Sequence, residues 1–176
     1  MTKNIAYIIL LGISLLGTGC IYQNNPSGNP QNTSIQSNED AIKLLVGDWS
    51  FDQFSLNQDE MAKLVRTTKD QRDWEEIQVS FAEMNKNFSH VVYKFYQDGT
   101  YKVIGGDQPQ FGTYRVFGDG NYMDMEESNG RNNNPPTLDI ALLNQSKLEL
   151  SWRQLIPLED GSGDKAEAIY TLGFKR

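Results

Sequence analysis

The sequence predicts a mainly β protein, an eight-stranded antiparallel up-and-down barrel with one helical insert between strands 1 and 2. The first observation is the alternation of apolar and polar residues in short segments from residue 39 onward, which indicates strands with one buried face. The second is the Asp-Gly pairs at 98–99 and 119–120, which signal tight hairpin turns. Eight such strands in succession favour an up-and-down barrel over a sandwich. The third is the helical spacing of apolar residues within 57–87, which predicts the insert.

The N-terminal segment has the pattern of an export signal. Lys3 precedes an apolar block from Ile5 to Leu16, which is shorter than the roughly 17 residues that a membrane-spanning helix needs. Three small residues then lead to Cys20, the only cysteine of the chain. A single cysteine forms no intramolecular disulfide, so packing alone must stabilise the fold. We assign residues 1–19 to a signal peptide.

The segment after this cysteine has a composition that is typical of a linker. Residues 21–38 carry no charge and are rich in Asn, Gln, Ser and Pro. Such a segment buries too little apolar surface to offset the entropy lost on ordering. We therefore predict an anchor point and flexible polar tether over residues 20–38, followed by the folded domain over residues 39–176.

The domain begins with a helical turn and the first strand. Ser37 is placed to cap the turn, because serine side chains accept hydrogen bonds from the first turn of a helix. The stretch from Leu44 to Phe54 predicts strand 1. In the insert, Asn57 begins a capping-box pattern, and Asp70 or Asp73 offers a second cap. The insert is therefore one bent helix or two helices, which cover the core or form a lid over the mouth of the barrel.

The remaining seven strands follow from residue 90 to residue 174. Their segments are HVVYKFY (90–96), TYKVI (100–104), QFGTYRVF (110–117), NYMDME (121–126), TLDIALL (137–143), KLELSW (147–152) and AIYTLGF (168–174). Tight turns join most neighbouring pairs, so the strands are expected to pair in sequential order.

The charge of the chain argues against nucleic acid as a partner. The formal net charge is −7, and it becomes −8 when Lys3, the single charge of the signal, is removed (−7 − 1). An acidic chain without a cluster of Lys and Arg is repelled by phosphates at long range.

The sequence also offers few groups for catalysis or metal binding. His90 is the only histidine and lies at the expected rim, so no histidine-based metal site or catalytic triad can form. Asp160, Ser162 and Asp164 have the spacing of the first half of a calcium loop, but the glutamate expected at the twelfth position is missing. The inward faces are expected to be apolar, without paired carboxylates. We therefore expect a protein that is not an enzyme and that holds no metal and no cofactor.

The inward side chains of the predicted barrel form its candidate ligand site. Nine of them are large aromatic residues or methionines: Trp49, Phe51, Tyr93, Phe95, Met123, Met125, Trp152, Tyr170 and Phe174. An eight-stranded barrel is either just filled by its side chains or wide enough for one small ligand. The sequence leaves both alternatives open. The first is a structural or protein-interaction protein with a filled barrel, and the second is a binding module for a small apolar ligand.

Several motifs of the domain resemble the lipocalin-like lipoproteins of Bacteroidetes. These motifs are Gly47-x-Trp49 at the start of strand 1, FYQDGTY over 95–101, and Gly112-x-Tyr114. The resemblance implies a lipocalin-like barrel over roughly residues 42–176. It also implies that Trp49 closes the base behind Gly47, and that a basic residue near the last strand packs on the indole ring. Lys175 or Arg176 is placed for such a cation–π contact. Most such proteins have no established activity, so the resemblance implies a shape more than a function.

The surroundings of Cys20 resemble the lipobox of bacterial lipoproteins. Small residues occupy the three preceding positions, an apolar run lies before them and a polar tract follows. The resemblance implies that the thiol of Cys20 carries lipid, with acyl chains such as palmitate, and that cleavage makes Cys20 the first residue. Two or more acyl chains hold a protein on a membrane stably. The resemblance thus implies an outer-membrane lipoprotein, and the lack of an acidic run after Cys20 favours its periplasmic face.

Overall fold

The computed structural model describes residues 35–56, 71–128, 137–157 and 165–176. Within them lie two helices and eight strands. The helices are α1 (Asn38–Leu45) and α2 (Gln71–Phe88). The strands are β1 (Gly47–Leu56), β2 (Val92–Phe95), β3 (Thr100–Ile104), β4 (Gln110–Phe117), β5 (Tyr122–Glu127), β6 (Thr137–Leu143), β7 (Lys147–Pro157) and β8 (Lys165–Lys175).

The eight strands form one antiparallel sheet that closes into a ring. Each strand pairs with the next along the chain, and β8 returns to pair with β1. In β1, Trp49 lies opposite Tyr93 of β2, and Phe51 lies opposite Phe174 of β8. The mainly β class, the eight antiparallel strands and their sequential order are therefore confirmed. Closure also gives β8 a paired strand on both sides, β7 and β1.

The first strand changes its register once along its length. Between Phe51 and Gln53 the pairing with β8 shifts, and Asp52 and Gln53 both face solvent. Phe51 and Phe54 are therefore both buried although three positions separate them. A shift of this kind adds one residue to the strand and restores the inward face beyond it.

The start of the fold lies earlier than residue 39. Ile35 packs against the core, and the Asn38 side chain accepts a hydrogen bond from the Gly120 N–H at 2.9 Å. The Ser37 hydroxyl accepts a hydrogen bond from the Asp40 N–H at 3.2 Å, which confirms the predicted cap of α1. Residues 35–38, which the composition assigned to the tether, therefore belong to the folded structure.

The helix α1 is longer than predicted and shortens strand 1. Leu44 and Leu45 belong to α1, and β1 begins only at Gly47. The prediction of a strand from Leu44 was wrong because helical backbone is what buries Leu45 completely against the core. We call the end of the ring that carries α1 the closed end.

The helix α2 substitutes for a missing stretch of strand. The strand β2 is short, and the part of β1 beyond Phe51 has no β2 partner. There the Asn85 amide accepts a hydrogen bond from the Phe54 N–H at 2.6 Å and donates one to the Phe54 carbonyl at 3.1 Å. Phe88 of α2 packs on Phe51, with ring centroids 5.8 Å apart. The helix thus satisfies the backbone of β1 and covers part of its inner face.

The placement of a helix between the first two strands is confirmed for residues 71–88. Because α2 begins at Gln71, Asp73 lies inside the helix and is not its cap. The cap patterns at Asn57 and Asp70, and the choice between one bent helix and two, lie outside the described residues. The expected hairpin turns are confirmed, with Gly99 at φ 82° and Asp119 at φ 56°. Both are left-handed conformations, which glycine, asparagine and aspartate adopt most readily.

Candidate functional site: the interior of the ring

The nine side chains predicted to face inward do lie together in the structure. Eight of them are buried, and Met125 is half-buried and packs against the others. Edge-to-face and stacked ring contacts join them, such as Tyr93 with Phe174 at 5.1 Å and Phe51 with Phe174 at 6.1 Å. Their role in ligand binding stays a prediction.

Trp49 and Arg176 cover the closed end of the ring. Trp49 is completely buried, and its indole N–H donates a hydrogen bond to the Leu45 carbonyl at 2.7 Å. The Arg176 guanidinium lies 4.1 Å from the centroid of the Trp49 ring. It also donates hydrogen bonds of 2.7 Å to the carbonyls of Leu44 and Val46. The Leu44 carbonyl lies in the last turn of α1 and the Val46 carbonyl just after it, where carbonyls have no partner within the helix, so one cation stabilises both the ring and the helix end.

Gly47 and Lys175, the other two residues expected at the closing contact, have different roles. Gly47 has φ 134°, and a Cβ there would stand 3.0 Å from an Arg176 nitrogen, so glycine gives the guanidinium room. Lys175 instead faces solvent and pairs with Asp52 at 2.6 Å. The prediction that Lys175 closes the ring was therefore wrong, because alternation along β8 turns this side chain away from the interior.

We expect that Arg176→Met lowers the free energy of unfolding by about 1–3 kcal/mol, since it removes hydrogen bonds from a charged donor and a cation–π contact. The matched control is Lys175→Met, which breaks only an exposed ion pair and should cost less than about 1 kcal/mol. Urea unfolding followed by circular dichroism measures both. Equal losses for the two variants would contradict the assignment of Arg176.

At the opposite end of β1, four rings form what we call the helix-side cluster: Phe54, Phe81, Trp152 and Tyr170. Trp152 and Tyr170 are stacked at 5.2 Å with planes 12° apart, and Phe54 stacks on both, at 5.9 Å and 6.0 Å. Phe81 of α2 lies 5.2 Å from Phe54. Among the side chains that the structure describes, Trp152 Nε1 is the one buried nitrogen or oxygen without a hydrogen-bond partner.

A second group of inward residues is polar. Burial raises the pKa of Tyr93 well above the usual tyrosine value, and the charges of Tyr101 and Glu127 raise it further. Burial and then Glu127 likewise raise the pKa of Tyr101. Glu127 shares its face of β5 with Met123 and Met125. The expectation of apolar inward faces was therefore wrong at Glu127, which places one carboxylate on the inner face.

The inward residues differ in how completely they are covered. At the closed end, Trp49 and Met123 expose none of their surface. Tyr93 keeps 9 % and Val116 7 %, although Tyr93 pairs with Trp49 and Val116 pairs with Met123. Leu172, further along the ring, keeps 8 %. Coverage therefore differs between neighbouring inward residues and does not fall steadily from one end of the ring to the other.

Within the described ranges, the other residues singled out in the sequence form no assembled reactive site. His90 lies before β2, is exposed, and contacts the Gly105 carbonyl through its ring nitrogen. In the described ranges, no three His, Cys, Asp or Glu side chains come together as metal ligands. Neither described helix is long and apolar enough to cross a membrane. Cys20 and the calcium-like residues 160–164 lie outside the described part of the chain.

Comparisons with known proteins add a structural similarity. No family model matches the chain, and no curated protein matches it. A solved structure of a DUF4847 family protein from Bacteroides vulgatus is similar at 14 % identity and a TM-score of 0.40. That similarity covers 75 % of this chain and 93 % of the other.

Proposed function

We propose that this protein is a membrane-anchored, lipocalin-like lipoprotein of the bacterial cell envelope, whose barrel binds a small apolar ligand. The proposal joins a lipid at Cys20 to an interior lined by aromatic residues and methionines. The observation that carries the ligand half is the lining of the ring, because the nine inward aromatic and methionine side chains lie together inside the closed sheet.

The chemistry of the inner face favours an apolar ligand. Rings and aliphatic side chains supply most of its area, and they gain free energy when a ligand displaces water from them. Methionine side chains such as Met125 are flexible enough to fit ligands of different shape. The large hydrophobic side chains that are exposed in the described residues are Val79 of α2, Tyr96 after β2 and Phe111 of β4. A few such side chains are ordinary on a protein surface, so they do not support a filled barrel that acts through its outer surface.

The ligand half predicts that a larger side chain inside the ring blocks binding. We expect Val116→Phe to weaken binding of N-phenyl-1-naphthylamine, a neutral fluorescent probe, at least about tenfold, because the new ring would occupy volume inside the ring of strands that a bound probe needs. The matched control is Thr113→Phe, the same change at an exposed position of β4, which should leave the affinity unchanged. The titrated chain must begin at residue 35, since Ile35 and Asn38 contact the fold.

A filled interior would give a different result in the same experiment. The probe would not bind to the unaltered domain, and Val116→Phe would instead lower stability by about 1–3 kcal/mol through overpacking. That pair of results would reject the ligand half and leave the anchor half standing.

The anchor half predicts that Cys20→Ser releases the protein from the membrane. One oxygen in place of sulfur leaves no thiol for acylation, and the uncleaved segment from Ile5 to Leu16 is too short to span a bilayer. We expect most of the protein to move from the pelleted membranes to the supernatant after a carbonate wash. Mass spectrometry of the unaltered protein should show acyl chains on Cys20. A variant that stays in the membrane pellet would overturn the anchor.

A further inference from the structure

The indole N–H of Trp152 makes no hydrogen bond that would stabilise the fold. This residue is 6 % exposed, and its N–H has no hydrogen-bond partner. Trp49 provides the contrast, because its indole N–H donates to the Leu45 carbonyl at 2.7 Å. Buried donors in native proteins are almost always paired, and one without a partner calls for an explanation.

The surroundings of Trp152 do not supply an acceptor. Its stacking neighbours are the ring faces of Tyr170 and Phe54, at 5.2 Å and 5.9 Å. Phe81 extends this block of rings onto α2. The result is a flat apolar wall in which a single polar hydrogen is unsatisfied.

We infer that the helix-side cluster binds the apolar body of an uncharged ligand, and that Trp152 Nε1–H donates a hydrogen bond to one acceptor oxygen of that ligand. A ketone, an ester or an ether on a hydrocarbon chain has this chemistry. The inference rests on the proposed function and narrows it, from any apolar ligand to one that carries a neutral acceptor. It also places that acceptor at β7, at the end of the ring away from α1.

The charges near the cluster favour a neutral acceptor over a carboxylate. Arg153, the next residue in β7, lies on the opposite face and pairs with Glu167 at 3.3 Å. Arg176 lies at the closed end, away from the cluster, and the carboxylate described on the inner face, Glu127, would repel an anion. An anion with one N–H donor and no cation pays a large desolvation cost. A neutral oxygen needs only the one hydrogen bond that Trp152 offers.

The test follows the indole N–H directly by ¹H–¹⁵N correlation spectroscopy of the full chain in small lipid bicelles. The chain has three tryptophans, so three indole signals are expected. The signal of Trp152 is assigned from its disappearance in Trp152→Phe or from its Overhauser contacts to the Tyr170 ring. Adding 2-decanone should shift the Trp152 proton downfield, as a new hydrogen bond does, and leave the Trp49 signal in place. Adding 1-decene, which lacks an oxygen, should not shift the Trp152 proton downfield.

Affinities measured in the same bicelles provide the second readout. We expect Trp152→Phe to weaken 2-decanone binding about fivefold, the value of one neutral hydrogen bond, and to leave 1-decene binding unchanged. Decanoate should bind at least about tenfold more weakly than 2-decanone, because its charge is not compensated. Comparing the variant with the native chain in identical bicelles cancels the partition of each probe into lipid.

Each other outcome has a defined meaning. A Trp152 signal already at a hydrogen-bonded position without probe would show an ordered water on the N–H and overturn the inference. Equal effects of 2-decanone and 1-decene on the Trp152 signal would overturn the acceptor contact while ligand binding in the interior stands. Tighter binding of decanoate would overturn the neutral class. If no probe perturbs any inward residue, the proposed function fails and this inference fails with it.

Discussion

Replacing Trp49 by alanine is expected to lower the free energy of unfolding by about 3–5 kcal/mol, the usual cost of deleting a large buried ring. Trp49 exposes none of its surface and contacts both α1 and Arg176 at the closed end. Its N–H binds the Leu45 carbonyl, and its ring carries the Arg176 guanidinium at 4.1 Å. The substitution therefore leaves a cavity and also frees the end of α1.

Urea unfolding at constant pH measures this loss, and Trp49→Phe is the graded control. Phenylalanine keeps a ring for Arg176 but removes the N–H, so a smaller loss of about 1–2 kcal/mol is expected. The Gly120 N–H donates a hydrogen bond to Asn38 of α1, and its hydrogen exchange should become faster in Trp49→Ala. A loss below about 1 kcal/mol for Trp49→Ala would mean that the closed end does not depend on this residue.

The second large effect is expected for Gly112→Ala, at about 3 kcal/mol of destabilisation. A Cβ at this position would stand 2.2 Å from the Glu126 carbonyl oxygen and 2.5 Å from the Tyr101 ring. The ring of Tyr101 lies across this glycine, which is its cross-strand partner in β4. Backbone cannot move aside as a side-chain end does, so the strand pairing itself must distort.

The matched control for this change is Gly106→Ala. Its Cβ would come no closer than 3.7 Å, to the Gln108 carbonyl, so the change should alter stability by less than about 0.5 kcal/mol. Thermal unfolding of both variants in one buffer gives the comparison. Similar midpoints for Gly112→Ala and the unaltered chain would show that the β3–β4 pairing tolerates a side chain there.

The strand content and strand order of this fold could be predicted because alternation and turn chemistry are local properties. The Asp-Gly pairs at 98–99 and 119–120 and the regular pattern of Tyr170, Leu172 and Phe174 need no distant partner to be recognised. The inward set was found by the same rule. It missed Phe54, because the register shift after Phe51 breaks the period of two.

Two inward residues, Arg176 and Glu127, were predictable from alternation but were not singled out, and a third feature depends on contacts between distant residues. The sequence offered Lys175 and Arg176 equally, yet alternation from Phe174 already placed Arg176 on the inward side and Lys175 outside. Glu127 was missed although it continues the face of Met123 and Met125, because a carboxylate at a strand end usually faces solvent. The unpaired N–H of Trp152 could not be predicted at all, since it depends on which groups the fold brings near it.

Ile35 and Ala41 both lie beside Gly120, so the N-terminal segment joins the fold at the end of the ring that α1 covers. If the proposed anchor and ligand are both present, a chain as short as the one from Cys20 to Ile35 would span only about 20 Å on average as a random coil. The covered base would then face the bilayer. The helix-side cluster would lie further out, by roughly 25–30 Å along tilted strands as long as β7. A hydrophobic cargo could not pass sideways from the leaflet into such a container. Loading and unloading would have to take place in water, and for a poorly soluble cargo that means direct handover from a second carrier.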